Sequence, residues 1–173
     1  AGQILVTGKC MNLSGQQAMM VMCYQDDGTR AWSFVHDNAS DGCTSSEGAG
    51  MELDGAGQIV VAGDVTNIVL YSTIWRLTSD GVLDPTFGTN GIARATGGSG
   101  EAAYAICLAP SGEIYTAGFT KNGSDSEICT RCWSADGDEN WTFRTGQGAG
   151  YGVAIHPDGR LLVAAGGVVL FLR

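Results

Sequence analysis

A short apolar run closing on glycine recurs along the chain, and this recurrence restricts the fold more than any other feature. It reads Ile4-Leu5-Val6-Thr7-Gly8, then Ile59-Val60-Val61-Ala62-Gly63, then Ile114-Tyr115-Thr116-Ala117-Gly118, and finally Leu161-Leu162-Val163-Ala164-Ala165, at steps of 55, 55 and 47 residues. Ahead of the later copies lie glycine turns (Asp54-Gly55-Ala56-Gly57, Ser111-Gly112 and Asp158-Gly159). Ahead of those turns lie further apolar runs, Met51-Glu52-Leu53, Tyr104 to Leu108 and Tyr151 to Ile155. Runs this short, rich in β-branched residues or glycine and bounded by turn residues, are strands rather than helices. Each pair is expected to be a hairpin, with strands A and B.

A second hairpin follows in each unit. Its strand C reads Met19 to Tyr24, Thr73 to Leu77 and Ile128 to Trp133, and each copy leads into Asp-Gly at 27–28, 80–81 and 136–137. Asp-Gly suits a tight turn in which both positions take positive φ. Six residues beyond each of these glycines stands Phe34, Phe87 or Phe143, preceded at two residues by Trp32, Pro85 or Trp141, which marks strand D. Four short strands per unit, a period near 55 and no helical stretch read as propeller blades. The expected fold is all-β, a β-propeller-like array of four-stranded antiparallel blades. Three units would be complete and a fourth partial, at 1–48, 49–102, 103–148 and 149–173.

The string Leu83-Asp84-Pro85-Thr86-Phe87-Gly88-Thr89-Asn90-Gly91-Ile92, with Gly57-Gln58-Ile59-Val60-Val61-Ala62-Gly63 ahead of it, resembles the delta-60 repeat. That family consists of tandem units in large, mostly secreted or surface bacterial proteins. The resemblance spans the chain in layout and about 40 residues in motif. The first and third units keep the Ile-x-x-x-Gly, Asp-Gly and Phe positions but lack the Leu-Asp-x-x-Phe-Gly string. It implies a β-propeller, and it supplies no catalytic residue.

Charge excludes several partners. Net charge is −9 and charged residues make up 16% of the chain. No basic stripe is available to displace counterions from nucleic acid or to bind anionic lipid. No run reaches the length of apolar residues that a membrane-spanning helix needs. Six cysteines and four N-x-S/T triplets without proline, at Asn12, Asn38, Asn122 and Asn140, favour an oxidising, glycosylating route to the outside of the cell. Both ends interrupt apolar runs. They are expected to be cut, and to meet further blades of the same parent chain or of neighbouring copies.

Strand alternation places the A–B and C–D turns on one face and the B–C and D–A connections on the other. The longer stretches, Lys9 to Gln17, Asp64 to Leu70, Thr120 to Ser126, Val35 to Gly48 and Gly88 to Glu101, all fall on the second face. Variable insertions in repeat folds carry binding. Asn12, Asn38 and Asn122 map to that face as glycan acceptors, while Asn140 begins an outer strand. Cys10 and Cys43 are expected there as a disulfide closing the D–A connection. The function expected is a non-enzymatic extracellular scaffold; the alternative is a carbohydrate- or protein-binding propeller using the long-loop face.

Residues that invite chemistry read more simply as structure. Cys129-Thr130-Arg131-Cys132 has redox spacing, but in a strand its thiols point to opposite faces. His36 and His156 fall on opposite faces, each expected as a turn or surface residue. The acidic groups at 25–28 and 136–140 lack calcium-loop spacing. Trp32, Trp75, Trp133 and Trp141 are expected to pack between blades rather than form a sugar platform. No phosphate loop is present, and no cofactor is expected.

Overall fold

A computed structural model describes residues 2–97, 100–166 and 168–172, leaving aside the side chain of Val168. The expected segment 88–101 therefore lies partly outside the described residues, at 98 and 99. The chain is all-β, and no helix occurs among the described residues. The strands form four antiparallel sheets in chain order. The first holds β1 (Gln3–Met11), β2 (Gln17–Gln25) and β3 (Arg30–Val35). The second holds β4 (Ser45–Leu53), β5 (Ile59–Thr66), β6 (Leu70–Leu77) and β7 (Ile92–Arg94). The third holds β8 (Glu101–Leu108), β9 (Ile114–Asn122), β10 (Asp125–Trp133) and β11 (Glu139–Gln147). The fourth holds β12 (Gly150–Ile155), β13 (Leu161–Ala165) and β14 (Val168–Leu172).

Two sheets are four-stranded and two are three-stranded, where three complete units were expected. Among the described residues, no strand pairs with the second edge of β1 or with the second edge of β14. Two further expectations are corrected. The last strand of the second sheet is Ile92–Arg94, not the segment around Phe87. The B–C connections are short, because β1, β5 and β9 run on to Met11, Thr66 and Asn122 before turning. On the face of the B–C and D–A connections, the longest connection left is 36–44, between β3 and β4.

Seven turns share one hydrogen-bond pattern. In 12–16, 25–29, 54–58, 78–82, 109–113, 134–138 and 156–160, the first N–H donates to the last carbonyl and the fourth residue's N–H donates back to the first carbonyl. That fourth residue is Gly15, Gly28, Gly57, Gly81, Gly112, Gly137 or Gly159, each at φ between 75° and 94°. These are three-residue loops whose last member is left-handed. Only glycine takes positive φ in them, so Asp-Gly supplies one such position, not two.

The sheets join through one repeated seam. β4 packs on β1 and β2, β8 on β4, β5 and β6, and β12 on β8 and β9. Strand alternation then fills both sides of each middle sheet. On β5, Ile59, Val61 and Val65 join Met19, Val21 and Trp75 in the core toward the first sheet. Val60 and Ala62 join Ile106, Ile114 and Trp133 in the core toward the third. On β9, Ala117 and Tyr115 turn toward Leu161 and Val163 of the fourth sheet. Of the four tryptophans, Trp75 and Trp133 lie wholly buried in these seams.

The string that resembles the delta-60 repeat is a clasp on the seam between the second and third sheets. Asp84 is buried and accepts from Arg76 Nε at 2.8 Å, Gln58 Nε2 at 2.7 Å and the Thr86 hydroxyl at 2.7 Å. Arg76 also donates to the Ala135 carbonyl at 2.7 Å and lies over the Phe87 ring, 4.7 Å from its centroid. Gly88 N–H donates to the Asp136 carbonyl at 2.8 Å. Gly137 sits so close to Phe87 that a Cβ there would stand 3.0 Å from the ring. The same contact recurs one seam earlier, where a Cβ on Gly81 would stand 2.5 Å from Trp32.

Candidate binding site at the connection end of the first strands

The first strand of each of the last three sheets carries a bulge at the same place. Ala49, Tyr104 and Tyr151 are each the extra residue, between Gly48 and Gly50, Ala103 and Ala105, and Gly150 and Gly152. A bulge re-aims the side chain at its extra residue. It also tips a carbonyl over the neighbouring strand. A Cβ on Gly63 would stand 1.9 Å from the Glu47 carbonyl oxygen, and one on Gly118 1.9 Å from that of Ala102. In the second and third sheets the glycine that closes the apolar run is therefore required by the bulge beside it, whereas the fourth sheet has Ala165 at that place, opposite Gly150.

Tyr104 and Tyr151 stack, with centroids 5.5 Å apart and planes 5° from parallel. Phe119 lies against Tyr104 at 5.7 Å, and Lys121 Nζ lies 5.9 Å from the Phe119 centroid. Tyr151 is 67% exposed, so one face of the stack is open. Beside the aromatics stand carboxylates from the second sheet. Glu47 lies opposite Asp64 in the β4–β5 register and takes Lys9 Nζ of β1 at 2.6 Å. Burial first, then the charge of Glu47, pushes Asp64 up to about 6, while Lys9 opposes the rise. Burial raises the Tyr104 hydroxyl, and Tyr151, Asp64 and Glu47 raise it further. The arrangement offers a flat ring with acceptors at its margin, which suits stacking and hydrogen bonding more than proton transfer. Sequence reasoning missed this stack; the one signal that could have matched the two tyrosines is their 47-residue step, the same as that from Ile114 to Leu161.

A second cluster on the same end pins the 36–44 connection. His36 Nε2 lies 3.2 Å from an Asp41 carboxylate oxygen, and Asp41 also pairs with the Arg94 guanidinium, which donates to Cys43 Sγ at 3.1 Å. His36 is 2% exposed and stands edge-on to Trp75 at 5.7 Å, which corrects its expected surface position. Burial pushes the imidazole down and the Cys43 thiol up, so both are neutral near pH 7. No activated nucleophile results.

The six cysteines are free thiols. The bridge expected between Cys10 and Cys43 is not formed in this structure: Cys43 is buried against Asp41 and Arg94, while Cys10 lies in β1 opposite Ala18. Cys129 and Cys132 are buried in β10, with burial pushing Cys129 up to about 11 and raising Cys132. Nearby, Arg131 is buried and ion-paired with Glu101 at 2.5 Å and Glu139 at 3.3 Å. Arg144 adds a contact to Glu101 at 3.1 Å and Thr120 another at 2.8 Å. Glu139 reaches across to the Thr96 N–H at 2.9 Å, tying the second sheet to the third. Among the described residues, no group of three or more His, Cys, Asp or Glu is placed to hold a metal ion.

The candidate glycan acceptors separate. Asn122 and Asn140 are exposed and Asn12 is half-buried, its Oδ1 accepting from the Ser14 and Gln16 N–H groups of its turn. Asn38 is corrected. It is fully buried, donating to the Gln17 carbonyl at 2.7 Å and accepting from the Ser46 hydroxyl at 2.7 Å. The acidic groups at 25–28 and 136–140 are turns, Asp27 accepting from the Thr29 N–H and hydroxyl.

Residues 57–87, from the turn ahead of β5 to Phe87, match a family model described as a domain of unknown function (DUF5122) beta-propeller. This segment thus carries a propeller repeat, in keeping with the resemblance read from the sequence. No curated protein matches the chain.

Proposed function

We propose that the protein is a non-enzymatic extracellular scaffold, a β-propeller-like array of four-stranded antiparallel blades that acts through its surfaces. One observation carries this reading: the side chains able to do chemistry are committed to holding sheets together. Arg76 and Asp84 clasp one seam, Arg131 and Glu101 tie another, and Cys43 and His36 anchor a connection. The exposed sequons at Asn122 and Asn140, with Asn12 beside them, support placement at the cell surface or outside the cell. Intact mass of native material before and after deglycosylation tests this. Sugar on at least one of these three is expected, and none on Asn38; an unmodified mass contradicts the extracellular reading.

The Tyr104–Tyr151 stack favours a second reading, a carbohydrate- or protein-binding propeller using the face of the B–C and D–A connections. A glycan array probed with labelled protein separates the two. Binding lost in Tyr151→Ala supports the second reading, and a blank array supports the first.

A further inference from the structure

The turns that close the A–B and C–D hairpins lie together at the end opposite the tyrosine stack, and a groove opens between two of them. It follows the seam of the second and third sheets and has a volume of about 460 Å³. Val60 and Ile114, both buried, line it together with Leu53, Leu108 and Pro110. Leu53 is 54% exposed, so its side chain is free to meet a partner. The one cation in the lining is Arg76, whose charge is met by buried Asp84 at 2.8 Å. The groove is built wholly from the second and third sheets and their turns.

Charge is unevenly spread around it. The six turns at this end carry eight carboxylates, two in 25–29, two in 134–138 and one in each of the others. Their one formal positive charge is Arg160, which pairs with Asp158 of its own turn at 2.6 Å. They therefore hold −7 of the chain's −9. Turn chemistry explains an Asp just ahead of the left-handed glycine. It does not explain Asp26, Glu113 and Asp138, which stand elsewhere in their turns. Asp54 lines the groove, Glu52 precedes Leu53, and Asp136 follows Ala135 of the lining. A low-dielectric cleft edged by one sign of charge concentrates the field and draws in the opposite charge.

We infer that this groove docks a positively charged segment of another polypeptide, which seats an aliphatic side chain against Leu53 and Leu108 and sets basic side chains over the surrounding carboxylates. The apolar lining supplies the contact area, and the acidic rim rejects neutral or acidic segments. The groove lies at the opposite end from the B–C and D–A connections, so it is a surface separate from the tyrosine stack. This inference rests on the reading of a protein that acts through its surfaces, and it names the kind of partner.

Fluorescence anisotropy tests it, with the whole chain and three labelled peptides: leucine flanked by lysines, alanine flanked by lysines, and leucine flanked by glutamates. The lysine–leucine peptide is expected to bind at low salt and to weaken as salt screens the charges. Its alanine counterpart should bind about tenfold more weakly, for want of the methyl groups that leucine buries, and the glutamate counterpart should not bind. Glu52→Gln with Asp136→Asn should weaken binding about fivefold, the size of two rim charges. Asp125→Asn with Glu127→Gln, an equal change of charge at the start of β10 on the other end, should leave binding as in the wild type. Leu53→Ser should erase the preference for leucine over alanine, and Pro110→Ser replaces it if its circular dichroism departs from wild type. No binding at low salt, equal losses in the two double variants, or a leucine preference that survives Leu53→Ser overturns the inference. None of these results bears on the intact mass or the glycan array, so the inference and the scaffold reading can fail separately.

Discussion

Strands β1 and β5 carry similar runs, Ile4-Leu5-Val6-Thr7-Gly8 and Ile59-Val60-Val61-Ala62-Gly63, at the same place in their units, and they meet different surroundings. From Ile59 to Gly63 every residue of β5 is buried, whereas no residue of β1 is. The difference lies in neighbours. β5 has β4 at one edge, β6 at the other, and a sheet packed over each face. β1 has β2 at one edge, and its outer face is uncovered. Gly63 sits under the Glu47 carbonyl, while Gly8, at the matching place, has no atom near an added Cβ. Burial in this fold is thus a property of the seam, and a strand's own sequence only makes it eligible.

The largest expected contrast sets two tryptophans of the third sheet against each other. Trp133 is fully buried in the seam and Trp141 is 41% exposed. Trp133→Ala should cost about 3–5 kcal/mol in urea denaturation, the range for large aromatics lost from a core. Trp141→Ala should cost about 1 kcal/mol or less, since exposed substitutions rarely cost more. Equal costs would break the comparison.

Glycine gives the next contrast. Gly63→Ala places a methyl against backbone, which cannot yield as a side chain can, and should cost about 1–3 kcal/mol. Gly8→Ala meets open space and should change stability by about 0.5 kcal/mol or less. Chemical denaturation of the pair reads both.

A smaller effect concerns pH. Asp64 is held up to about 6 in the folded chain against an ordinary 3.8, so the folded state binds the proton more tightly than the unfolded one. Stability should fall as pH rises from about 4 to about 6, and Asp64→Asn should flatten that slope. Asp84 acts oppositely. Its hydrogen bonds from Thr86 hold it down to about 2, so its contribution is present above 3.8 and lost as pH falls toward 2. A slope unchanged by Asp64→Asn removes Asp64 as its source.

Much of the fold was legible because period and turn chemistry are local. The repeated apolar runs fall on β1, β5, β9 and β13, and Asp-Gly fills the third and fourth places of four of the seven like turns. What the sequence hid depends on distant contacts. Phe87 looked like a strand marker because Phe34 and Phe143 lie in strands, yet Asp84 and Arg76 fold its segment into a clasp and the strand forms later, at Ile92. Asn38 looked like a surface acceptor because it follows a strand end in a polar segment. Only the packing of Ser46 and Gln17 around it shows otherwise. The tyrosine stack was hidden for a related reason: a bulge breaks the alternation by which facing side chains are read.

The seam itself is tested most directly by pairing Gly81 with Trp32. Gly81 has φ 78°, and a Cβ there would stand 2.5 Å from the Trp32 ring of the preceding sheet. Gly81→Ala therefore carries two costs: a left-handed alanine, about 1–2 kcal/mol, and the clash. In a Trp32→Ala background the clash is gone and the backbone cost remains. The double-mutant cycle in urea is expected to show a coupling of about 1–3 kcal/mol, within the range for residues in contact. Additive costs, the same for Gly81→Ala with and without Trp32, would contradict a seam built on glycine turns packed against the aromatics of the sheet before.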